Sequence, residues 1–469
     1  IAPLPEDKVL PAAGFSPYRT AHVAAALLGR ATCSLVFTTT RSAAEQAGLA
    51  LKILLPERDD EIEVHHASIE RGRRLEIEEG LADGRWLAVV ASSSLELGVD
   101  FAAVEQVLLL GCPRGVSRTV QRLGRSGHRV DGVATGWLVP LSLPDLLQCI
   151  ALREAVKRGR LDPLRPPRAP LDVLAQTLLG LAVEKPWSEE EAFALVRRAG
   201  PFAGLTRADF DDVLFYLAGG GRVLGAGQGY GKIVREKGEF RVASARVART
   251  YFLNIGTISD DYAMKIVLGT RRLGTVEESF IGGLQPGEAF VVGGRSVKVK
   301  RLQGNTAYVE KATGEVVKTP RWAGGKMSLT ARLATEELEL RAALRDHPRN
   351  IAPMLVKRYG LERALAERIA DYCRHQLRKG PIPAASPVVI ERIHRGRAIQ
   401  WLFHSVAGRG VNRSLAWVAG HRLGKPEETS VVANFDDHAF LLSFAAKALP
   451  SEAAARAAFA PASFLADLR

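Results

Sequence analysis

Gln121-Arg122-Leu123-Gly124-Arg125-Ser126-Gly127-His128-Arg129 overlaps the end of a helix-like stretch, Arg118 to Leu123, and follows a continuous apolar run, Gln106-Val107-Leu108-Leu109-Leu110. Arg114, Arg118, Arg122, Arg125 and Arg129 fall within 16 residues, and no acidic residue separates them. Gly124 and Gly127 would each weaken a helix interior by about 1 kcal/mol relative to alanine. They therefore mark a helix end at which the backbone approaches something closely. Guanidinium groups presented there suit a triphosphate, whose transition-state charge they stabilise. Read alone, the same run is equally a basic surface patch, because short motifs recur by chance.

The neighbours on either side separate these readings. Upstream, Ser92-Ser93-Ser94-Leu95-Glu96-Leu97-Gly98-Val99-Asp100 follows the apolar run Trp86 to Val90. Phe37-Thr38-Thr39-Thr40-Arg41 closes the run Ser34 to Phe37, ahead of a helical pattern from Ser42 to Leu54. His65-His66-Ala67-Ser68 closes another strand, and Gly136-Trp137-Leu138-Val139 adds one downstream. Continuous apolar strands separated by helices predict a parallel sheet covered on both faces. Hydroxyls and arginines at the carboxyl ends of such strands stand where these sheets bind ligands, and they can hold a phosphodiester backbone.

Beyond a proline-rich break at Pro163 to Pro170, helices are expected at 171–184, 189–199 and 207–218. Ser188 with Glu191 and Thr206 with Asp209 open two of them in capping-box style. Strand-like Arg222-Val223-Leu224 and Glu239-Phe240-Arg241-Val242, with Gly225 to Gly238 as a loop, complete the pattern of a winged helix. Residues 253–330 alternate short strands with glycine turns, as in a small barrel or curved sheet. Residues 331–379 look helical, and Val388 to Leu449 is mixed. The expected fold class is α/β: a RecA-like parallel-sheet domain at 1–162, a winged helix at 163–252, and a β-rich plus helical extension at 253–469.

Composition fits this plan. The chain has 469 residues, 64 Lys and Arg against 51 Asp and Glu, and a formal net charge of +13. A surplus of that size favours a polyanionic partner. Cys33, Cys112, Cys149 and Cys373 show no metal-ligand spacing, which suits a reducing cytoplasm. No apolar run reaches the roughly 18–20 residues that span a bilayer, so no membrane role is expected. A chain opening on Ile1 reads as a fragment.

The four segments around Arg41, Ser68, Ser92 and Arg125, in this order and spacing, resemble motifs IV to VI of superfamily 2 helicases. The wording resembles most the large helicase-related (Lhr) family. Pro170-Leu171-Asp172-Val173-Leu174-Ala175-Gln176 and the stretch Tyr251 to Leu329 extend the likeness. Asn254-Ile255-Gly256-Thr257-Ile258, Val276 to Phe280 and Pro320-Arg321-Trp322 look like its ligase-associated DEXH-box branch. The resemblance implies that Gly98 and Asp100 border the nucleotide, while Gln121, Arg125 and His128 face its phosphates. His128 stands where many relatives place a last arginine, which leaves Arg125 as the finger. Arg41, Ser68 and Ser92 would contact the DNA backbone, and Trp322 would stack on a base. Family members often carry two arginines where this chain has Arg41-Ser42.

A Walker A loop requires G-x-x-x-x-G-K-[ST], and Gly231-Lys232, Gly325-Lys326 and Gly424-Lys425 all fail it. ATP and Mg²⁺ are the implied cofactors, with the metal ligands expected on another domain, so the chain alone is not expected to hydrolyse ATP. The resemblance implies the C-terminal part of an ATP-dependent DNA translocase and helicase, 3′-to-5′, in DNA repair. Single-stranded DNA or an RNA–DNA hybrid would be its substrate, with a repair nuclease or ligase as partner. The alternatives are a non-catalytic single-strand-binding module and an RNA helicase. Among weaker features, His65-His66 reads as strand-end packing in place of a metal site, and Asp436-Asp437-His438 as a turn. Arg392, His394, Arg395, Arg397, Trp401, Arg409 and Arg413 read as a nucleic-acid groove or a solvated helix face.

Overall fold

The structure is a computed structural model. It describes residues 15–97, 101–127, 134–164, 166–219, 231–256, 263–277, 280–281, 284, 288–292, 295–303, 306–312, 317–318, 327–395, 398–424, 431–445, 451–460 and 467. Two compact units result: Pro163–Asp261, and the remainder of the chain.

The larger unit opens with helix α1 (Phe15–Leu28), which sequence reading passed over. An all-parallel sheet follows, in the order β2-β3-β1-β4-β5: β1 (Ser34–Phe37), β2 (Ile62–His65), β3 (Ala88–Ala91), β4 (Gln106–Leu110) and β5 (Gly136–Val139). Connecting helices are α2 (Arg41–Leu54), α3 (Arg71–Ala82), α4 (Val116–Leu123) and α5 (Leu143–Lys157). Alternate strand residues supply opposite cores. Leu35 and Phe37 pack with Ile77 and Leu81 on one face, while Val36 packs with Leu51 and Ile62 on the other. Double-sided burial is why these strands read as unbroken apolar runs.

The remaining parts of this unit are built onto that sheet. A six-stranded sheet comprises β9 (Ala263–Leu268), β10 (Arg271–Glu277), β11 (Ala289–Val292), β12 (Arg295–Gln303), β13 (Thr306–Lys311) and β14 (Val317–Lys318), in the order β10-β9-β13-β12-β11-β14. Helices α10 (Ala331–Asp346), α11 (Ile351–Tyr359) and α12 (Arg363–Lys379) share one hydrophobic core with α5, through Leu147 and Leu152 against Leu333 and Leu340. The extension is thus continuous with the parallel-sheet domain. A four-stranded antiparallel sheet closes the unit, with β15 (Val389–Arg395), β16 (Ala398–His404), β17 (Val432–Phe435) and β18 (Ala439–Ala445) in the order β15-β16-β18-β17. Helices α13 (Arg409–Gly424) and α14 (Glu452–Ala457) accompany it.

In the smaller unit α6 (Leu171–Glu184), α7 (Glu189–Arg197) and α8 (Arg207–Gly219) enclose Leu178, Phe210, Leu214 and Phe240. Ser188 and Thr206 accept the Glu191 and Asp209 amides, as their spacing predicts. One expectation fails. Residues Ile233–Glu236 form strand β7 where a loop was expected, paired with β8 (Glu239–Val242), and β6 (Trp187–Ser188) joins them. Lys237 and Gly238 both take positive φ (50° and 79°). A two-residue turn of that kind matches the strand twist and closes a tight hairpin. Arg222 to Leu224 lie outside the described residues. Helix α9 (Ala245–Leu253) completes this winged-helix arrangement. Among the described residues no helix is long and apolar enough to cross a membrane.

A buried polar network ties α5, α10 and the β17–β18 turn. Glu337 accepts from Gln148 (2.9 Å) and Arg341 (2.8 Å) and pairs with His438 (3.4 Å). Burial opposes ionisation of Glu337, but His438 and Arg341 overcome it and hold its pKa at about 2. The hydrogen bond to Glu337 raises His438, against burial and Arg341, with Asp436 assisting. His438 therefore contributes fully below its ordinary 6.5 and fades as pH rises through the raised value, whereas Glu337 contributes above 4.5 and fades toward 2. Thermal stability is expected to fall as pH is raised from about 6 to about 9, and His438→Gln is expected to flatten that slope. An unchanged slope in the variant would exclude this network as its source.

Candidate functional site

The site is assembled from the carboxyl ends of β1, β2 and β3 and from α4. Thr38 extends the strand ladder: its amide donates to the Ala91 carbonyl at 2.8 Å, and its hydroxyl also reaches that oxygen. Thr40 caps α2 by accepting the Ala43 amide at 3.1 Å. Two of the three threonines are thus spent on local structure, and the cap places Arg41 in the first turn of α2. The Arg41 guanidinium donates to the Ser68 hydroxyl at 3.1 Å. Ser68 is 5% exposed, so its hydroxyl orients a half-buried Arg41 more than it faces solvent.

The two histidines behave as strand-end packing residues. His66 Nδ1 accepts the Ser68 amide, so its proton sits on Nε2 and is donated to buried Glu45 at 2.8 Å. Burial, then Arg74 and His66, push the His65 pKa down to about 3. A neutral His65 donates from Nε2 to Glu78 at 3.0 Å and accepts the Ser94 hydroxyl at Nδ1, 2.7 Å away.

The segment carrying Ser68 is also an edge for the six-stranded sheet. Thr275 donates to the Ser68 carbonyl at 2.6 Å, Glu70 donates to the Leu273 carbonyl at 3.2 Å, and Ile69 bridges Gly274. A β-carbon on Gly274 (φ 153°) would stand 2.1 Å from that Ser68 oxygen. Gly274→Ala is therefore expected to unseat β10 from this segment. Losing even one such hydrogen bond is worth about 1 kcal/mol, roughly a fivefold faster exchange of the Thr275 amide. Wild-type protection of Thr275 in the variant would contradict the close approach.

The arginine run divides into inward and outward members. Arg122 is 1% exposed: Nε and Nη2 donate to Glu96 Oε2 at 3.1 and 3.0 Å, and Nη2 also reaches the Ser92 carbonyl at 3.2 Å. Its guanidinium lies 4.8 Å from the centre of the Phe37 ring. Burial lowers its pKa, while Glu96 opposes that shift. Arg118 approaches the other Glu96 oxygen at 3.5 Å. Arg114, at φ 62°, donates to Asp437 at 2.6 Å. The resemblance implies phosphate contacts for Gln121, Arg125 and His128; Arg114, Arg118 and Arg122 of the same run are paired with carboxylates from remote segments. Gln121 stands in the last turn of α4, and Arg125 follows just past the helix end. Gln121 is exposed, and Arg125 Nε donates to its carbonyl at 3.3 Å. Helix α4 is seated by reciprocal bonds between Ser117 and Asp162.

Ser92 is 6% exposed and meets Arg122 through its carbonyl. Gly98, Asp100, His128 and Trp322 lie outside the described residues. The structure brings Arg41 to Ser68 and Gln121 to Arg125. Glu96 was not given a role from sequence, and Asp437, read only as part of a turn, also holds Arg114. Trp401, grouped with a basic stretch, is instead a core residue against Phe403 and Phe444. Arg392 and His394 stand on strand β15 and not on a helix face. Asp436 accepts the His438 and Ala439 amides, as a turn residue does. Ligand atoms of Cys112, Asp145 and Cys149 lie within 4.8 Å of one another. Both Asp145 oxygens accept backbone amides, from Cys112 and Leu141. The Cys149 thiol is pushed well up by its contact with Cys112 and by burial, so capping accounts for the cluster.

Residues 20–129 match the helicase conserved C-terminal domain, residues 154–319 the winged helix domain of large helicase-related protein, and residues 382–469 the DEAD/H associated family. ATP-dependent helicase Lhr-Core protein 2 of Thermococcus barophilus is 36% identical, covering 87% of this chain and 48% of its own length. ATP-dependent helicase Lhr-Core of Methanocaldococcus jannaschii is 35% identical over the same shares. The chain thus spans about half the length of the curated relatives it matches. The helicase Lhr of Mycobacterium smegmatis, solved bound to ssDNA and AMP-PNP, shares the fold with a TM-score of 0.70 at 24% identity, covering 93% of this chain and 53% of that one. A helicase domain, an Lhr winged helix and a DEAD/H-associated segment in one succession, with relatives above a third identical across most of the chain, establish that it belongs to the large helicase-related (Lhr) family.

Proposed function

We propose that this chain supplies the second half of an ATP site and the strand-binding surface of an ATP-dependent DNA helicase. The observation that carries this is the division of α4. Buried Arg122 fastens the helix to Glu96 and to the β3 end, while Gln121 is exposed and Arg125 follows half-buried just past the helix end. A guanidinium held on a rigid helix end can stabilise charge on a transferring phosphoryl group without reorganising. The donors fit the phosphates of ATP. They do not supply Mg²⁺ ligands, since Glu96 is neutralised by two guanidinium groups. Bound ATP would supply the phosphoryl group; Arg125 would donate to its oxygens, and Gln121 would hydrogen-bond beside it.

Arg41, oriented by Ser68, would hold a backbone phosphate at the far ends of β1 and β2. Single-stranded DNA is the polymer named for the related Mycobacterium smegmatis helicase. Translocation 3′-to-5′ and a repair role remain part of the proposal. So does the domain division at 162 and 252, with His128, Gly98 and Asp100 at the nucleotide and Trp322 and Ser92 on the strand. The chain is expected to bind single-stranded DNA with log affinity falling steeply against log salt, by about 0.7 for each phosphate neutralised. Arg41→Ala is expected to weaken binding and reduce that slope by about 0.7, the share of one phosphate. Affinity independent of salt would contradict the backbone contacts.

A further inference from the structure

Helix α13 buries Asn412, Ala416, Ala419 and Leu423, and turns the opposite side outward beside β17. That outer side is unusual for a solvated helix. Trp417 is 53% exposed, with Val411 and Val432 exposed nearby. The Arg413 guanidinium stands 5.0 Å from the Trp417 ring centre, Trp417 meets Phe435 edge-on at 6.4 Å, and Arg409 lies 5.4 Å over Phe435. The result is a surface ladder of arginine, indole, phenyl and arginine. Helix α13 and strand β17 contain no aspartate or glutamate. Among the described residues neither Arg409 nor Arg413 is ion-paired.

We propose that this face is a further nucleic-acid contact, in which Trp417 stacks on a base of a single strand while Arg409 and Arg413 take the flanking phosphates. A lone exposed indole is ordinary. An exposed indole bracketed by two uncompensated guanidinium groups offers what one nucleotide needs, a π-face and a cation at phosphate reach. The two guanidinium groups of the patch, neither of them ion-paired among the described residues, on a chain of net charge +13, favour a polyanion. An unpaired strand is favoured over a duplex because stacking needs a free base face. The patch is also fastened toward the nucleotide-binding helix: Asp437 accepts the Arg409 amide at 2.9 Å and holds Arg114 ahead of α4. A strand seated here would bear on the loop that leads to Gln121 and Arg125.

The inference rests on the nucleic-acid reading above, and the test keeps the two apart. Fluorescein-labelled oligothymidylate is titrated with the whole chain and its variants. Trp417→Ala is expected to weaken binding about 5- to 100-fold, with Trp417→Phe in between, for the loss of one stacked base. Arg413→Gln is expected to lower the salt slope by about 0.7. Both side chains are exposed, so melting temperatures should stay near wild type. Iododeoxyuridine in the same oligonucleotide should photo-cross-link to the peptide containing Trp417. Wild-type affinity in both variants with no such cross-link, while Arg41→Ala weakens binding, would overturn this contact and leave the broader reading standing. No binding by the wild-type chain would overturn both. Loss of self-association in Trp417→Ala, with oligothymidylate affinity unchanged, would assign the face to a protein contact and overturn the proposal.

Discussion

Arg125→Ala, made in a helicase that joins this chain to a Walker A domain, is expected to lower ATP turnover about 10³-fold or more. That is the scale lost when an arginine finger is removed from phosphoryl-transfer enzymes. Arg125 follows the C-terminal end of α4, and its Nε donates to the Gln121 carbonyl in the last turn. The melting temperature of the variant is measured alongside, so that loss of folded protein is separated from loss of turnover. Single-stranded DNA affinity without nucleotide should hold, because Arg41 and Ser68 lie on other strand ends. Gln121→Ala is expected to cost less, since a neutral hydrogen bond is about half as strong as a charge-assisted one. ATP turnover within about tenfold of wild type in the Arg125 variant would remove it from the reaction.

The parallel sheet was legible because its strands are buried on both faces. Ser34 to Phe37 and Gln106 to Leu110 carry the signal in every residue, with no dependence on distant partners. The winged helix was legible through its caps. Its wing was read too coarsely: Ile233-Val234-Arg235-Glu236 ahead of Lys237-Gly238 is a short strand and a tight turn, but the glycines at 225, 227, 229 and 231 drew the loop forward. Trp401 could have been placed in the core by period-two reading, since Ile399, Trp401 and Phe403 share one face of the strand while Gln400 and His404, with Leu402, share the other.

The division of labour among the arginines was not legible, for a physical reason. Charge density along the sequence says nothing of the carboxylates that fold against it. Glu96 reaches Arg122 across 26 positions and Asp437 reaches Arg114 across 323. Helical spacing does not settle it: Arg118, Gln121, Arg122 and Arg125, three or four residues apart, would fall on one broad side. Only the fold decides which of them is buried. The same limit hid the seam between β10 and Ser68, which consists of backbone hydrogen bonds that any sequence can make where a glycine admits the approach.

Arg122→Met should be as damaging as Arg125→Ala, by a different route. Glu96 would lose two hydrogen bonds while staying 9% exposed, with Arg118 at 3.5 Å as its remaining cation. Stranding one partner of a buried ion pair costs about 3–5 kcal/mol. The variant should melt well below wild type, and Glu96→Leu alone should do the same by stranding Arg122. Removing both charges together, as Arg122→Met with Glu96→Leu, should recover most of the loss, because buried pairs replaced by apolar residues are often neutral or stabilising by about 1–4 kcal/mol. Stability and coupling then come apart. Arg122 also donates to the Ser92 carbonyl and approaches that of Thr38, at the ends of the strands that carry the segments proposed to contact DNA. The double variant keeps a folded α4 but loses the bonds that fix it to those ends. It should therefore bind single-stranded DNA and hydrolyse ATP in the joined helicase, yet show a smaller stimulation of hydrolysis by DNA. Full DNA stimulation in a double variant that melts like wild type would reduce Arg122 to a packing role and leave the link between strand ends and phosphates to be carried elsewhere.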